Sequence, residues 1–451
     1  MPPPQKQTSH STLNTPLPNP SLQVTADHDL KQVDSPVREP GPGEVLLHIK
    51  ATGICGSDVH FWKRGKIGSL EFKGDCIIGH EAAGVVLKCG PGVTNLKPGD
   101  RISLEPGVPC IHHSPPRTSQ PCHLCTSGQY NLCQSVAFSG VYPHPGSLQR
   151  YLTHPSQYCH LLPPSLSYAE GALIEPLSVV LHGIRQAGSL SLGSPVLICG
   201  AGPIGLIALA CARASGAWPI AITDVEESRL SFARTFVPGC LTYRIGQETD
   251  EGPKEAPEAS ARGIRRLFGL PEAKEQQQEE EEEEEDGELV VNDDYKAPAK
   301  VLECTGVESS IATAGYVARR GGMVMVIGVG KEKMNNLPFM HMSLAEFINR
   351  YRDTWPAGLS LLSSGILDLK PLISHTFPLE AAKQALEFSA DLKNGPIKVQ
   401  VVDEADDEAA WWKRHGSDGG VRLGPVGMEN PRERSKGHAN ATPEMGRECG
   451  M

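Results

Sequence analysis

Gly200-Ala-Gly-Pro-Ile-Gly205 is the stretch that decides the fold of this 451-residue chain. It matches G-x-G-x-x-G, it follows the apolar run 196–199, and a second apolar run, 206–214, continues from it as a helix would. In such a loop the first glycine permits a tight turn, the second admits a pyrophosphate, and the third lets helix and strand pack closely. The pattern predicts a dinucleotide site in a parallel α/β sheet.

The next strand-like run, 219–223, indicates which dinucleotide is bound. It ends at Asp224, 19 residues after Gly205, where the carboxylate that binds the ribose hydroxyls is expected. An acid there repels a 2′-phosphate, so the sequence favours NAD over NADP. One arginine nearby, Arg229, does not reverse this preference and could instead pack over the adenine. The predicted cofactor contacts in this region are Gly200, Gly202, Pro203, Ile204, Gly205, Asp224 and Arg229.

Composition and charge exclude several classes of partner. The formal net charge is -11, much of it from the acidic run 279–286, and this argues against nucleic-acid binding. The N-terminus is polar and has no apolar signal-peptide core, and no long apolar run predicts a membrane span. We therefore expect a cytoplasmic protein, whose 13 cysteines are thiols and metal ligands rather than disulfides.

Four cysteines, Cys110, Cys122, Cys125 and Cys133, lie close together in one segment. A Cys-x-x-Cys core with two outer thiolates is typical of a closed, tetrahedral zinc site that stabilises structure. His112 or His113 could replace Cys110 as a ligand, but we favour the four-cysteine set.

A second possible metal site is dispersed over Cys55, His80, Glu81 and Glu175. One thiolate, one imidazole and carboxylates suit a catalytic zinc that keeps one position for water or substrate. Spacing alone does not connect these residues. Taken singly, Cys55 could be a core thiol, His80 a hydrogen-bonded core histidine and Glu175 a carboxylate at the start of a helix, and from spacing alone these simpler explanations are preferred.

Six motifs together resemble the zinc-containing medium-chain dehydrogenases and, within that family, the polyol branch. The resemblance extends from about residue 19 to residue 402. The motifs are Gly53-Ile-Cys-Gly-Ser-Asp-Val-His-Phe-Trp62, Gly79-His-Glu81, Glu175-Pro-Leu-Ser178, Gly200-Ala-Gly-Pro-Ile-Gly205, Glu303-Cys-Thr-Gly306 and Asn349-Arg-Tyr-Arg352.

The resemblance implies an α/β chain with two domains. A GroES-like, β-rich catalytic domain would comprise residues 22–177 and 346–402. A Rossmann domain with a doubly wound parallel sheet would comprise residues 178–345, with an acidic insertion at about 271–294. Residues 1–21 and 403–451 would be a flexible and a disordered tail, respectively. The resemblance also implies a homotetramer or a homodimer.

The resemblance further implies an enzyme that oxidises a sugar alcohol to a ketose by hydride transfer to NAD, with one catalytic and one structural zinc. Cys55, His80 and Glu81 would hold the catalytic zinc, and Glu175 would reach it directly or through water. Ser57 and His60 match the proton relay, and Asp58 would orient His80. The implied polyol contacts are Phe61, Glu175, Arg350 and Tyr351, and the implied nicotinamide contacts are Ile327, Gly328 and Val329.

The chain departs from its family in three places. The gap between Cys110 and Cys122 is longer than the usual Cys-x-x-Cys spacing, the acidic stretch at about 271–294 is an insertion, and about four residues are missing between Glu346 and Phe347. The third departure could displace Arg350 and Tyr351, so we keep as an alternative a non-catalytic protein that binds NAD and zinc. Phe61 favours L-arabinitol or a similar pentitol among the candidate substrates, which also include xylitol and sorbitol.

Overall fold

The structure is a computed structural model that describes residues 18–67, 70–113, 120–246, 256–270, 293–330, 334, 337 and 351–405. Most of the two predicted tails, most of the predicted acidic insertion, and Arg350 lie outside these residues. Among the described residues, no helix is long and apolar enough to cross a membrane.

The described strands form a β-rich part and a five-stranded parallel sheet. In chain order they are β1 Pro20–Val24, β2 Leu30–Asp34, β3 Glu44–Gly53, β4 Lys66–Ile67, β5 Leu70–Glu71, β6 Cys76–Ile77, β7 Glu81–Cys89, β8 Arg101–Leu104, β9 Gly107–Val108, β10 Ala137–Phe138, β11 Tyr151–Pro155, β12 Cys159–Leu161, β13 Val196–Cys199, β14 Ile220–Asp224, β15 Leu241–Arg244, β16 Lys300–Glu303, β17 Met323–Val326, β18 Ile373–Pro378 and β19 Lys398–Val402.

The described α-helices are mostly short. They are α1 Gly56–Arg64, α2 His123–Thr126, α3 Tyr168–Ala172, α4 Ile174–Gln186, α5 Pro203–Ala214, α6 Glu227–Phe236, α7 Pro257–Leu267, α8 Glu308–Val317, α9 Trp355–Ser363 and α10 Ala382–Ala390.

The β-rich part is organised around strand β3. Its sheet has the order β12-β8-β7-β3-β19-β18, and β11 also pairs with β3. Nearly every residue of β3 is buried because the strand has neighbours along its edges and apolar layers on its faces. β3 ends at Gly53, which stands opposite Glu81 of β7 and Gln400 of β19. This register brings three distant parts of the chain to one point.

The second part is a parallel sheet with the order β15-β14-β13-β16-β17, which is the 3-2-1-4-5 arrangement of a doubly wound fold. Residues of β13 alternate between two cores: Ile198 packs in one and Leu197 in the other. A strand buried on both faces must be apolar along its whole length, which explains the run 196–199. The predicted combination of a β-rich domain and a Rossmann sheet is confirmed.

The chain returns to the β-rich part after the parallel sheet, because β18 and β19 join the sheet of β3. Asp403, which the sequence analysis assigns to a disordered tail, is packed instead. Its Oδ2 accepts a hydrogen bond of 2.6 Å from Arg150 Nε and lies 3.1 Å from His48 Nε2. A buried carboxylate with one buried and one half-buried partner anchors the end of β19.

Candidate active site

Three residues that follow or begin strands of the β-rich sheet converge on one point. Cys55 precedes α1, and His80 and Glu81 lie at the start of β7. One ligand atom of each, a sulfur, a ring nitrogen and a carboxylate oxygen, lies within 4.8 Å of the others. The fold therefore joins residues that spacing alone could not connect.

Asp58 holds this group together from the first turn of α1. Its Oδ2 accepts a hydrogen bond of 2.9 Å from the backbone of Cys55, and its Oδ1 accepts one of 3.1 Å from Gly79. Oδ1 also lies 3.6 Å from Nδ1 of His80, as expected for a residue that orients the imidazole. Burial raises the pKa of Asp58, and the neighbouring His80 partly offsets that rise.

Lys398 is a residue of this site that the sequence analysis missed. Its Nζ donates to both carboxylate oxygens of Glu81, at 2.8 and 2.7 Å, and to the carbonyl of Ile54 at 3.2 Å. Both side chains are almost fully buried. Burial alone would lower the pKa of Lys398, but Glu81 raises it above its ordinary value. The only sequence signal was a lysine at the start of the apolar strand β19.

Glu175 lies beside the three-residue group and not within it. Burial raises its pKa to about 7, partly offset by His80. Tyr351 approaches it without forming a well-shaped hydrogen bond: the phenol oxygen is buried with no partner among the described residues. Burial and the nearby Glu175 raise the pKa of Tyr351 well above its usual range. The two predicted substrate contacts are therefore neighbours, and both have free hydrogen-bonding capacity.

The donor set fits a zinc ion with an open position. Thiol, imidazole and carboxylate are all zinc ligands, and three protein ligands are typical of a catalytic site. Burial alone would lower the pKa of His80, but Asp58, Cys55 and Glu175 raise it well above its usual value. The same concentration of negative charge favours a divalent cation.

The four cysteines of the loop also meet in space. The sulfur atoms of Cys110 and Cys125 are 3.6 Å apart, and those of Cys122 and Cys133 are 3.9 Å apart. Four thiolates around a zinc ion at the usual bond length of about 2.3 Å lie about 3.8 Å from one another. The loop therefore has the geometry of a structural zinc site.

The two histidines in the lengthened gap are engaged elsewhere. His112 Nδ1 lies 2.7 Å from the hydroxyl of Tyr158, and His113 Nε2 lies 3.1 Å from the carbonyl of Val108. The sulfur of Cys110 is a member of the cluster. The alternative in which a histidine replaces Cys110 therefore has no geometric support.

The glycine loop fits a dinucleotide. A methyl group on Gly205 would lie 1.7 Å from the carbonyl oxygen of Gly200, so only glycine permits this contact between turn and helix. Helix α5 begins at Pro203, and no side chain caps it. Its first backbone N–H groups are available for a phosphate.

Asp224 supports the glycine loop from the end of β14. Its Oδ2 accepts a hydrogen bond of 2.7 Å from Ala201 N, and its Oδ1 accepts one of 2.9 Å from Glu226 N. Arg229 Nη1 lies 3.9 Å from Oδ2. A carboxylate can accept further hydrogen bonds, so ribose hydroxyls remain compatible with this arrangement.

A cavity of about 680 Å³ lies between the two parts. His60 of α1 lines one wall, and Gly306 and Val329 line the other.

Only glycine fits at position 328, because a methyl group there would lie 2.1 Å from the backbone nitrogen of Gly306. Ile327 is buried, and its side chain packs against Gly183 of α4. Burial, and secondarily Arg64, lower the pKa of His60.

Phe61 and Arg350 are the other two predicted substrate contacts. Phe61 is 2% exposed and packs on Phe72, with ring centroids 4.7 Å apart, so its ring belongs to the core of the β-rich part. Its helix turns the ring inward, a direction that the motif alone did not reveal. Arg350 lies outside the described residues.

Comparison with known proteins agrees with this geometry. Residues 41–164 match the alcohol dehydrogenase GroES-like domain. The chain is 45% identical to L-arabinitol 4-dehydrogenase of Aspergillus oryzae over 81% of this chain and 88% of the relative. It is 38% identical to sorbitol dehydrogenase of Mus musculus over 86% of this chain and 97% of the relative.

Solved structures give the same fold. An oxidoreductase of unknown specificity from Escherichia coli superposes with a TM-score of 0.68 at 28% identity, covering 86% of this chain and 100% of that one. A butanediol dehydrogenase from Bacillus subtilis, at 23% identity, superposes with a TM-score of 0.67 over 86% of this chain and 100% of its own.

Proposed function

The chain belongs to the polyol branch of the zinc-containing medium-chain dehydrogenases, and from that membership we propose that it oxidises a sugar alcohol to a ketose with NAD. The observation that carries the proposal is the convergence of Cys55, His80 and Glu81 at the start of helix α1, which also lines the cofactor cleft. We propose L-arabinitol or a related pentitol as the preferred substrate, in line with the most similar relatives reported above.

When bound, zinc supplies a Lewis acid for the substrate hydroxyl and NAD supplies the hydride acceptor. The chain supplies the proton route. Ser57 Oγ lies 3.4 Å from Nε2 of His80, at the ligand group, and His60 lies in the cleft with a lowered pKa that keeps its imidazole neutral and able to accept a proton. Glu175, whose pKa is about 7, is a second proton acceptor beside the ligands.

Other residues orient these groups and exclude water. Asp58 fixes the backbone on both sides of the ligand group, and Lys398 fixes Glu81. Val329 lines the cleft, and the turn 327–329 that it ends would support the nicotinamide. Because Asp58, His80, Glu81 and Glu175 are all buried, the reacting groups would be largely shielded from bulk solvent.

The direct test is NADH formation with L-arabinitol, xylitol, sorbitol and galactitol, followed by absorbance at matched concentrations. We expect turnover with at least one of them and the highest kcat/KM with a pentitol. If none is oxidised by a zinc-loaded protein that still binds NADH, the non-catalytic alternative replaces the proposal.

Cofactor choice has its own test. Asp224 should make kcat/KM higher with NAD than with NADP, and the double change of Asp224→Ser and Val225→Arg should shift the preference toward NADP by removing a repulsion and adding a phosphate partner. Val225→Arg alone is the control because it keeps the carboxylate. A wild-type protein that already prefers NADP contradicts this role of Asp224.

The finer expectations of a homodimer or homotetramer and of a cytoplasmic location also belong to the proposal. Light scattering of the purified protein measures the first, and cell fractionation measures the second.

A further inference from the structure

The cofactor cleft contains a cation that the function above does not use. His60 and Arg64 are four residues apart on α1, which places them on one face of the helix, and both line the cavity of about 680 Å³. Arg64 is exposed, and it makes no ion pair with any residue that the structure describes. Its charge is therefore available to a ligand in the cavity.

The opposite wall connects this cavity to the glycine loop. Thr305 lines the cavity, and a methyl group on Gly200 would lie 2.7 Å from its Cγ2. A pyrophosphate at the N-terminus of α5 would therefore lie next to the space that Arg64 faces. The helix offers backbone N–H groups on one side of that anion, and its first turn contains no acidic residue.

Arg64 and Arg229, the two described arginines nearest the cofactor site, differ in the charges that surround them. Arg229 lies beside Asp224, at the position expected for the adenosine ribose, where a carboxylate already balances it. Glu308 lines the same cavity as Arg64 and would repel a phosphate, so a phosphate in this cavity requires a positively charged partner. Among the described residues that line the cavity, Arg64 is the only lysine or arginine.

We propose that Arg64 binds the pyrophosphate of NAD from the catalytic-domain wall of the cleft and is a determinant of cofactor affinity. The inference rests on the proposed NAD-linked function and adds a residue to it. A guanidinium can form two charge-assisted hydrogen bonds to phosphate oxygens, and a contact that crosses the cleft links the two domains through the cofactor.

The test measures binding and does not depend on turnover. NADH, ADP-ribose and adenosine are titrated into the wild type and into Arg64→Gln, Arg64→Lys and Lys63→Gln variants. We expect Arg64→Gln to weaken NADH and ADP-ribose about 5- to 20-fold, the size expected for one partly exposed charge-assisted contact, and to leave adenosine within about 2-fold. Arg64→Lys should recover part of the lost affinity, because lysine keeps the positive charge but lacks the two parallel N–H donors of the guanidinium.

Lys63→Gln is the matched control. It removes a neighbouring exposed charge whose ammonium lies 3.8 Å from the ring centre of Trp62, and it should leave all three affinities unchanged. The affinity of the wild type for NADH should fall more steeply with added salt than that of Arg64→Gln.

Three results would overturn the inference: unchanged NADH affinity in Arg64→Gln, equal losses in Arg64→Gln and Lys63→Gln, or a loss for adenosine as large as that for NADH. Each leaves the polyol dehydrogenase proposal intact if the wild type binds NADH and oxidises a polyol. A wild type that binds no NADH overturns both.

Discussion

The two candidate metal sites are built in opposite ways. The four-cysteine site takes all its ligands from one segment, between Cys110 and Cys133, and packs them as a small cluster of their own. The catalytic group takes Cys55 from the N-terminus of α1, takes His80 and Glu81 from the start of β7, and depends on Lys398 of β19. The first site is local in sequence, whereas the second exists only when the whole sheet has formed.

This difference explains why one site accommodates extra length and the other does not. Inserting residues between two ligands of a loop costs loop-closure entropy that grows only logarithmically, about 1 to 2 kcal/mol here, against about 10 kcal/mol of zinc binding. The dispersed site has no such freedom. A shift of one residue in the pairing of β3 with β7 would turn Glu81 to the other face of the sheet.

The largest expected effect tests the dispersed site. Cys55→Ser should lower turnover by about 1000-fold or more, because it weakens the ion that polarises the substrate. NADH affinity should change little, since the glycine loop lies in the other domain. Stopped-flow turnover and NADH fluorescence measure the two separately. Cys89→Ser, which changes a half-buried thiol outside both clusters, is the control, and equal losses in the two variants would contradict the assignment.

The next effect concerns the buried ion pair. Lys398→Met leaves the carboxylate of Glu81 buried without its partner, and we expect a loss of about 3 to 5 kcal/mol in the free energy of unfolding of the metal-free protein. The loss should shrink with zinc bound, since the metal offers Glu81 another positive charge. Urea denaturation with and without zinc measures both.

Lys88→Met is the matched control for that experiment, because Lys88 pairs with Glu39 at 2.9 Å on the surface. An exposed pair contributes about 1 kcal/mol or less. A similar cost for both lysines would mean that the pair of Lys398 and Glu81 is no more important than a surface contact.

The four-cysteine site should lose its zinc without affecting the catalytic site. Cys122→Ala is expected to lower the zinc content from about two ions per chain to about one and to lower the thermal unfolding midpoint, while the catalytic zinc stays. Elemental analysis counts the metal, and His112→Ala serves as the control because His112 lies in the same loop without being a ligand. Loss of both ions from Cys122→Ala would show that the two sites are not independent.

The smallest expected effect is the pH dependence of the stabilisation that Asp403 provides at the end of β19, through its contacts with His48 and Arg150. Burial alone would raise the pKa of Asp403, but hydrogen bonds from His48 and Arg150 lower it to about 2. Because this folded-state pKa lies below the ordinary value, the stabilisation is complete above about pH 4 and is lost as the pH falls toward 2; we expect it to contribute about 1 to 2 kcal/mol. Wild type and Asp403→Asn should differ in urea stability at pH 6, and the difference should shrink below pH 4 and disappear only as the pH falls to about 2 and below. A constant difference would refute this.

The glycine loop and the four-cysteine set could be predicted from the sequence because each is a short-range pattern. Both consist of residues whose chemistry and spacing act within one turn or loop. The parallel sheet was predicted from apolar runs at βαβ spacing, since strands that are buried on both faces must consist mainly of apolar residues. These features needed no knowledge of which strands pair.

The remaining features depend on pairing and side-chain direction. Only family resemblance connected Cys55 with His80, because the register of β3 with β7 cannot be predicted from the sequence of either strand. Lys398 was missed since a lysine at a strand end is usually exposed. Phe61 was expected near the substrate, yet it packs on Phe72, because the direction of a helical side chain depends on what the helix packs against.

The return of β19 to the first domain has a consequence for protein synthesis. Lys398 and Glu81 are 317 residues apart, so a ribosome completes the entire parallel-sheet domain before the partner of Glu81 emerges. Until then the nascent β-rich domain lacks both the partner of Glu81 and strand β19, which covers one edge of β3. We therefore expect the N-terminal β-rich segment to complete its fold only after β19 has been synthesised, and a chain terminated before residue 398 to remain incompletely folded.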